Sequence, residues 1–579
     1  MHTLRRFTVA LGAAIALTSA CSSSDSTGPA APLPVLGLSV SATGSASNRV
    51  TFSGRSGESY DIERAEGATG TFASITTIAL LTADATQNYN DTGLKVSTMY
   101  RYRVTTVKNG ARSASTAEVA STTLAFGTAA ASITADITVS RTLFADTAYT
   151  LSGFIHVANG ATLTIQPGTT IKGDFNVLGS TIMIMRGAKI QAIGTVDAPI
   201  VFTSSRAAGQ RQPGDWGGLI LVGNAPDNRS GVVNIEGSGT DGTAIVSGKN
   251  YPVQYNGGNV ATDNSGTLAY VRVEFGGFAP IQDQEFNSFT FAAIGSGTRA
   301  SYLESLAGLD DSFEFFGGGF DLDHLIAFET ADDVLDMSEG FSGRIQFVIA
   351  ISTVQLVPRT GAGFYSVDLE GIENDGCNGT GCDLGFDSAP FTIPLVANFT
   401  LIGCGQASCM GAGGGHGMML RRGTGGYYVN GVISRWSTDG VSLRDVSTYG
   451  RAGSTATPAG TADLQLKNIL FTEVNGLVFQ AASATQNVLD LTANNLTLSA
   501  ATTASVFTAI PAIGSAPANL AAFDFSPVAG GAAATGGLTT FTGAIATKAG
   551  TFVTGTAYLG AVAPGGAKWW TGWAAYARN

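Results

Sequence analysis

The chain is poor in charge. Only 13% of its 579 residues are Asp, Glu, Lys or Arg, about half of the roughly 25% usual for globular proteins. That shortage excludes coiled coils and helical bundles, whose surfaces need Glu, Lys and Arg. Basic residues are fewer than acidic ones, 31 against 43, for a net charge of −12. A nucleic-acid partner is therefore not expected. There are four histidines, none close to another, so a His-based metal site or a Ser-His-Asp triad has little material. Long apolar runs are scarce despite a mean hydropathy of +0.20. The apolar share of 44% nevertheless rules out a disordered chain. What the chain has in excess is glycine, 76 residues, where about 7% is typical. These features describe a large, turn-rich, all-β protein.

The N-terminus reads as an address. Arg5 and Arg6 precede an apolar stretch, Phe7 to Leu17, too short to anchor a bilayer-spanning helix. Small residues then lead to a cysteine in Leu17-Thr18-Ser19-Ala20-Cys21. This segment resembles the bacterial lipobox, although that family usually has Leu where Thr18 stands. The resemblance implies a signal peptide over 1–20, cleavage before Cys21, and lipid attachment to its thiol. The alternative is an ordinary secretory peptide. Ser22 follows, with no Asp to signal retention at the inner membrane, so the expected location is the outer membrane, at the cell surface or on its periplasmic face. Residues 21–34 are rich in Ser, Pro and Gly and read as a flexible tether.

From 35 to 124, short alternating strands with turns every 8–12 residues indicate a β-sandwich. Leu94 and Tyr100 are six residues apart, as in the tyrosine corner of fibronectin type III domains, which this segment resembles. The core Trp usual in that family is missing, and Phe52 is the candidate replacement.

The stretch 130–579 is repetitive. Gly160-Ala-Thr-Leu and Gly187-Ala-Lys-Ile are offset by 27 residues, Asp310-Asp-Ser-Phe-Glu-Phe and Asp332-Asp-Val-Leu-Asp-Met by 22, and Gly417-Met-Met-Leu-Arg and Gly440-Val-Ser-Leu-Arg by 23. Periods of 20–30 without intervening helices predict a right-handed parallel β-helix. Phe313, Phe315, Leu335 and Met337 then point inward, and Glu314 and Asp336 outward. Charge is scarce because like charges stacked about 4.8 Å apart repel. Asn398, Asn430, Asn468 and Asn495 each precede an apolar strand and are expected to form a ladder, in left-handed backbone. The stretches Gly160–Gly173, Pro213–Leu221, Asp263–Phe275 and Leu420–Gly426 are similar to a family of bacterial β-helix surface lipoproteins. That resemblance implies fold and location but no reaction.

Against this neutral background one acidic cluster stands out: Asp310, Asp311, Glu314, Asp332, Asp333 and Asp336. A 22-residue coil pairs these carboxylates in space, and Ca²⁺ is the natural ion to neutralise them. The competing reading has the Asp residues capping turns with their charges solvated. Asp368, Glu370, Glu373, Asp375, Asp383 and Asp387 read as a separate surface grouping, with Arg421, Arg422, Arg435 and Arg444 downstream. Cys377, Cys382, Cys404 and Cys409 are expected to form disulfides in an exported protein. Pairing within each local couple or across the couples, 27 residues apart, is open. His416 lies in a glycine run read as a mobile loop, and Trp569-Trp570-Thr571-Gly572-Trp573 as a cap over the last coil.

Two functions fit. One is a non-enzymatic surface scaffold for adhesion, binding a polysaccharide or a surface protein and held to the membrane by its lipid. The other is a polysaccharide lyase or hydrolase working in a groove of the β-helix. Acidic pairs and an Arg converging on one groove favour the second.

Overall fold

The computed structural model describes residues 31–577 except 240–249, 282–283, 359, 364–367, 412, 453–462, 476–478, 482–489 and 516. The signal segment and Cys21 lie outside the described residues. The chain divides into two compact units, 1–123 and 124–579.

The first unit is a sandwich of two antiparallel sheets. One contains Leu36–Gly44, Ser47–Gly54 and Ala85–Thr92. The other is built on Ser59–Glu66 paired with Met99–Lys108. Alternation drives the burial: Tyr100, Tyr102 and Val104 face the core while Arg101 and Arg103 turn outward onto Phe72. Leu94 is buried, and Tyr100 Oη accepts a hydrogen bond from the Lys95 amide at 2.9 Å. That is the tyrosine corner. Phe52 fills the centre, edge-on to Tyr60 at 5.0 Å.

The second unit is a parallel β-helix. A ten-stranded parallel sheet runs from Phe154–Val157 to Phe479–Ala481, beside a larger parallel sheet. All three repeat offsets are single coils. Thr162 pairs with Lys189, Glu314 with Asp336, and Leu420 with Leu443. Inward side chains stack coil on coil: Phe289 on Phe313 at 5.1 Å and Phe291 on Phe315 at 5.4 Å. Each fully buried Phe contributes about 1.5–3 kcal/mol. Within Pro213–Leu221, Trp216 is fully buried and donates to Glu274 O at 2.8 Å. Gly173 lies against it, and a Cβ there would come within 2.4 Å of Trp216 Cβ.

Tyr270, Tyr302, His324, Phe347, Asn398, Asn430, Asn468 and Asn495 all have left-handed backbone, with φ from 51° to 66°. Strand register aligns them in one column, coil after coil. The Asn residues do not form the expected ladder with one another. The C-terminal segment takes up their amides instead. Gly536 O accepts from Asn468 and Asn495, Asn430 Oδ1 accepts from Leu538 N, and Gly560 O accepts from Asn398.

The segment then continues back along the flank, where Arg272 donates to Trp573 O. The Trp569–Trp573 group therefore does not cap the last coil. Trp573 packs edge-on to Tyr270 at 5.7 Å and Tyr302 at 5.9 Å, covering the aromatic half of the column. Among the described residues, no helix is long and apolar enough to cross a membrane.

Candidate functional site

Three neighbouring strands of the ten-stranded sheet build the site: Phe313–Gly318, Leu335–Ser338 and Ile372–Asp375. Their register aligns Glu314, Asp336 and Glu373 in one row. One turn earlier, Asp311, Asp333 and Glu370 form a second row, linked by hydrogen bonds. Asp311 Oδ1 accepts from Asp333 N at 2.8 Å, and Asp333 Oδ1 accepts from Glu370 N at 3.1 Å. Asn287 Oδ1 begins the series, accepting from Asp311 N. Asp310 and Asp332 precede these turns. Eight carboxyl groups thus occupy three adjacent coils.

Four overlapping groups bring three carboxylate oxygens within 4.8 Å of one another: Asp310–Asp311–Asp332, Asp311–Glu314–Asp336, Asp332–Asp333–Glu370 and Asp333–Asp336–Glu373. The structure so places all six predicted acids together and adds Glu370 and Glu373. Both competing readings of the cluster find something here. Asp311 and Asp333 do accept backbone hydrogen bonds, but from the next coil rather than within their own turns, and their charges are not solvated. Both are buried, as is Glu314, which is 3% exposed. Glu314 and Asp336 do not face open solvent as expected; they line a cleft of about 870 Å³. The second acidic region was not separate either, because Asp368, Glu373 and Asp375 line the same cleft. Asp383 instead accepts from Ser230.

The electrostatics follow from burial. It is the main cause pushing Asp310, Glu314, Asp333, Asp336 and Glu370 well above the carboxylate range, and neighbouring acids add to it. Burial, then Asp332, pushes Asp311 up to about 8; burial, then Asp375, pushes Glu373 up to about 8. Glu314 Oε1, Asp336 Oδ1 and Glu370 Oε1 have no hydrogen-bond partner among the described residues. Groups in this state need a proton or a cation.

Arg229, Arg421 and Arg422 supply the cleft's positive charge. Arg421 pairs with Glu373 and with Asp375, the latter at 2.8 Å, and Arg422 pairs with Asp375. Burial disfavours the charge on Arg421, but Asp375 and Glu373 outweigh it and raise its pKa. Arg435 pairs with Glu473, and Arg444 contacts His416, so neither serves the cleft. His416 is not in a loose loop: it is buried and bonded through Nδ1 to Asp439 at 2.8 Å.

Disulfides join Cys377 to Cys382 and Cys404 to Cys409. The 27-residue offset between the couples is not a coil, since Glu373 pairs with Met419, 46 residues on. Arg229 docks the first disulfide loop on the cleft wall, donating to Asn378 O and Thr380 O, and also binds Glu339.

Coils, stacked aromatic rows and an acidic cleft define a parallel β-helix. The model for pectate-lyase-like β-helix domains matches residues 132–512, and the chain belongs to that family. Among solved structures, a fibronectin type III-like protein from Clostridium thermocellum is 29% identical, over 16% of this chain and 93% of its own, with a TM-score of 0.14. A family 28 exopolygalacturonase from Yersinia enterocolitica is 10% identical, over 79% of this chain and 97% of its own, also with a TM-score of 0.14. No curated protein matches the chain.

Proposed function

We propose that this chain is a carbohydrate-active protein of the outer membrane, lipid-anchored at Cys21, whose acidic cleft takes up Ca²⁺ and engages polysaccharide through it. The observation that carries this reading is the carboxylate array on the cleft floor, with Glu314 Oε1 and Asp336 Oδ1 left unpartnered. Eleven acidic residues line the cleft against three arginines. Ca²⁺ is oxygen-seeking, takes 6–8 oxygen ligands, and tolerates irregular geometry. Three carboxylates per position leave coordination free for water and for sugar hydroxyls or carboxylates. Family membership supplies the carbohydrate half of the reading. A surface scaffold that binds glycan without cleaving it needs nothing more.

A second reading, cleavage by a lyase or hydrolase mechanism, is favoured by one observation: carboxyl groups and Arg421 and Arg422 converge on the same groove. Burial raises the pKa of Glu314 well above the ordinary carboxylate range, the direction that suits a general acid. Incubating the full chain with a polysaccharide panel, with Ca²⁺ or with chelator, separates the two. Ca²⁺-dependent binding without products supports the scaffold. Unsaturated ends or new reducing sugar support the enzyme. Binding that ignores chelator removes Ca²⁺ from the account.

A further inference from the structure

We infer that the carboxylate array at the cleft holds two divalent cations side by side, bridged by Asp336. One lies between Asp311, Glu314 and Asp336, and the other between Asp333, Asp336 and Glu373. The inference rests on the Ca²⁺ reading and adds the number and arrangement of the ions.

Each of these groups offers three oxygens within 4.8 Å of one another, and Asp336 belongs to both. Asp311 and Asp333 are each fixed by a hydrogen bond from the next coil to Oδ1, so their orientation is set before any ion arrives. A second observation points to a ligand. Glu314 is 97% buried, lines the cleft, and has no partner for Oε1; Asp336 Oδ1 has none either. The two groups are one strand spacing apart, about 4.8 Å, close to the roughly 3.5–4 Å of two-metal sites.

Charge balance favours two ions over one. Five carboxylates belong to the two groups, and the guanidinium of Arg421 is paired with Glu373. Two divalent ions with Arg421 neutralise all five. A single ion leaves two of the five carboxyls to be neutralised by protons instead. The other two groups, through Asp310, Asp332 and Glu370, draw on the same Asp311 and Asp333, so they compete with this pair rather than extend it.

The test is stoichiometry. The full chain in detergent, stripped with chelator, is titrated with CaCl₂ by calorimetry, and Tb³⁺ luminescence counts ions independently. Two equivalents are expected for the native chain and one each for Glu314→Gln and Glu373→Gln. Asp336→Asn is expected to weaken both positions at least tenfold. One equivalent in the native chain, or an Asp336→Asn variant that weakens a single position, overturns the pair and leaves the Ca²⁺ reading standing. No binding overturns both. The amides keep shape, and Glu314→Gln and Asp336→Asn remove a repelling acid, so in chelator these two are expected to melt no lower than the native chain; Glu373→Gln also gives up its ion pair with Arg421. The native stoichiometry decides the proposal whatever the variants do.

Discussion

Raising the pH of the cation-free protein from 5 to 8 is expected to destabilise the β-helix unit. Burial pushes Asp311 up to about 8 from an ordinary value of 3.8. A carboxyl whose pKa is higher folded than unfolded keeps its proton in the folded chain. Its folded form is therefore favoured while the proton stays on, and the advantage fades as pH rises through the unfolded value toward the folded one. One pKa unit corresponds to about 1.36 kcal/mol, so Asp311 alone loses about 4 kcal/mol between pH 5 and 8. Unfolding entropy is about 2.1 cal/mol/K per residue. Over residues 124–579, that loss lowers the melting temperature by about 4 °C. Glu373, also near 8, adds to the trend, although the two groups share neighbours and titrate together. The assay is thermal melting across this pH range in chelator and in millimolar Ca²⁺. Bound Ca²⁺ replaces the protons, so the curve in Ca²⁺ is expected to be flatter and higher at pH 8. A melting temperature that is level or rising from pH 5 to 8 in chelator refutes the burial argument.

Other predictions concern the scaffold and its address. Phe315→Ala removes a ring stacked between Phe291 and Phe341 and is expected to cost about 3–5 kcal/mol, measured by denaturant unfolding. Trp573→Ala is expected to cost a similar amount, because Trp573 is fully buried on the flank; an exposed cap residue would cost far less. Reducing Cys377–Cys382, a loop closed over five residues, is expected to cost about 2 kcal/mol. It should also weaken polysaccharide binding, because Arg229 docks that loop on the cleft wall. Cys21→Ser should shift the chain from the membrane to the soluble fraction; unchanged partitioning contradicts lipidation.

The coils were legible in the sequence wherever they were uninterrupted. The Asp310 and Asp332 motifs lie one coil apart, so identical residue types fall at identical positions and betray both period and cluster. The third coil was not legible. Asp336 pairs with Glu373, 37 residues on, because an insertion lengthens that coil and breaks the offset that would have aligned Glu370 and Glu373 with the rest. The next coil is longer still, Glu373 pairing with Met419 46 residues on, so the 27-residue spacing of the cysteines falls within one coil. Burial of Glu314 was hidden because strand alternation assigns it outward, and only the walls around the sheet turn that outward face into a cleft. The left-handed Asn column was readable from residue type. Its partner, the returning C-terminal segment, was not, since nothing local in Gly536–Gly560 records where it docks.

Cations on the carboxylate array would be directly visible in a crystal. The most direct measurement is an anomalous difference map from crystals of the protein grown with Ca²⁺ or soaked in a heavier lanthanide substitute. Peaks are expected at Asp311–Glu314–Asp336 and at Asp333–Asp336–Glu373. A map empty there at saturating ion, with Glu314 and Asp336 bonded only to water or to each other, contradicts the Ca²⁺ reading.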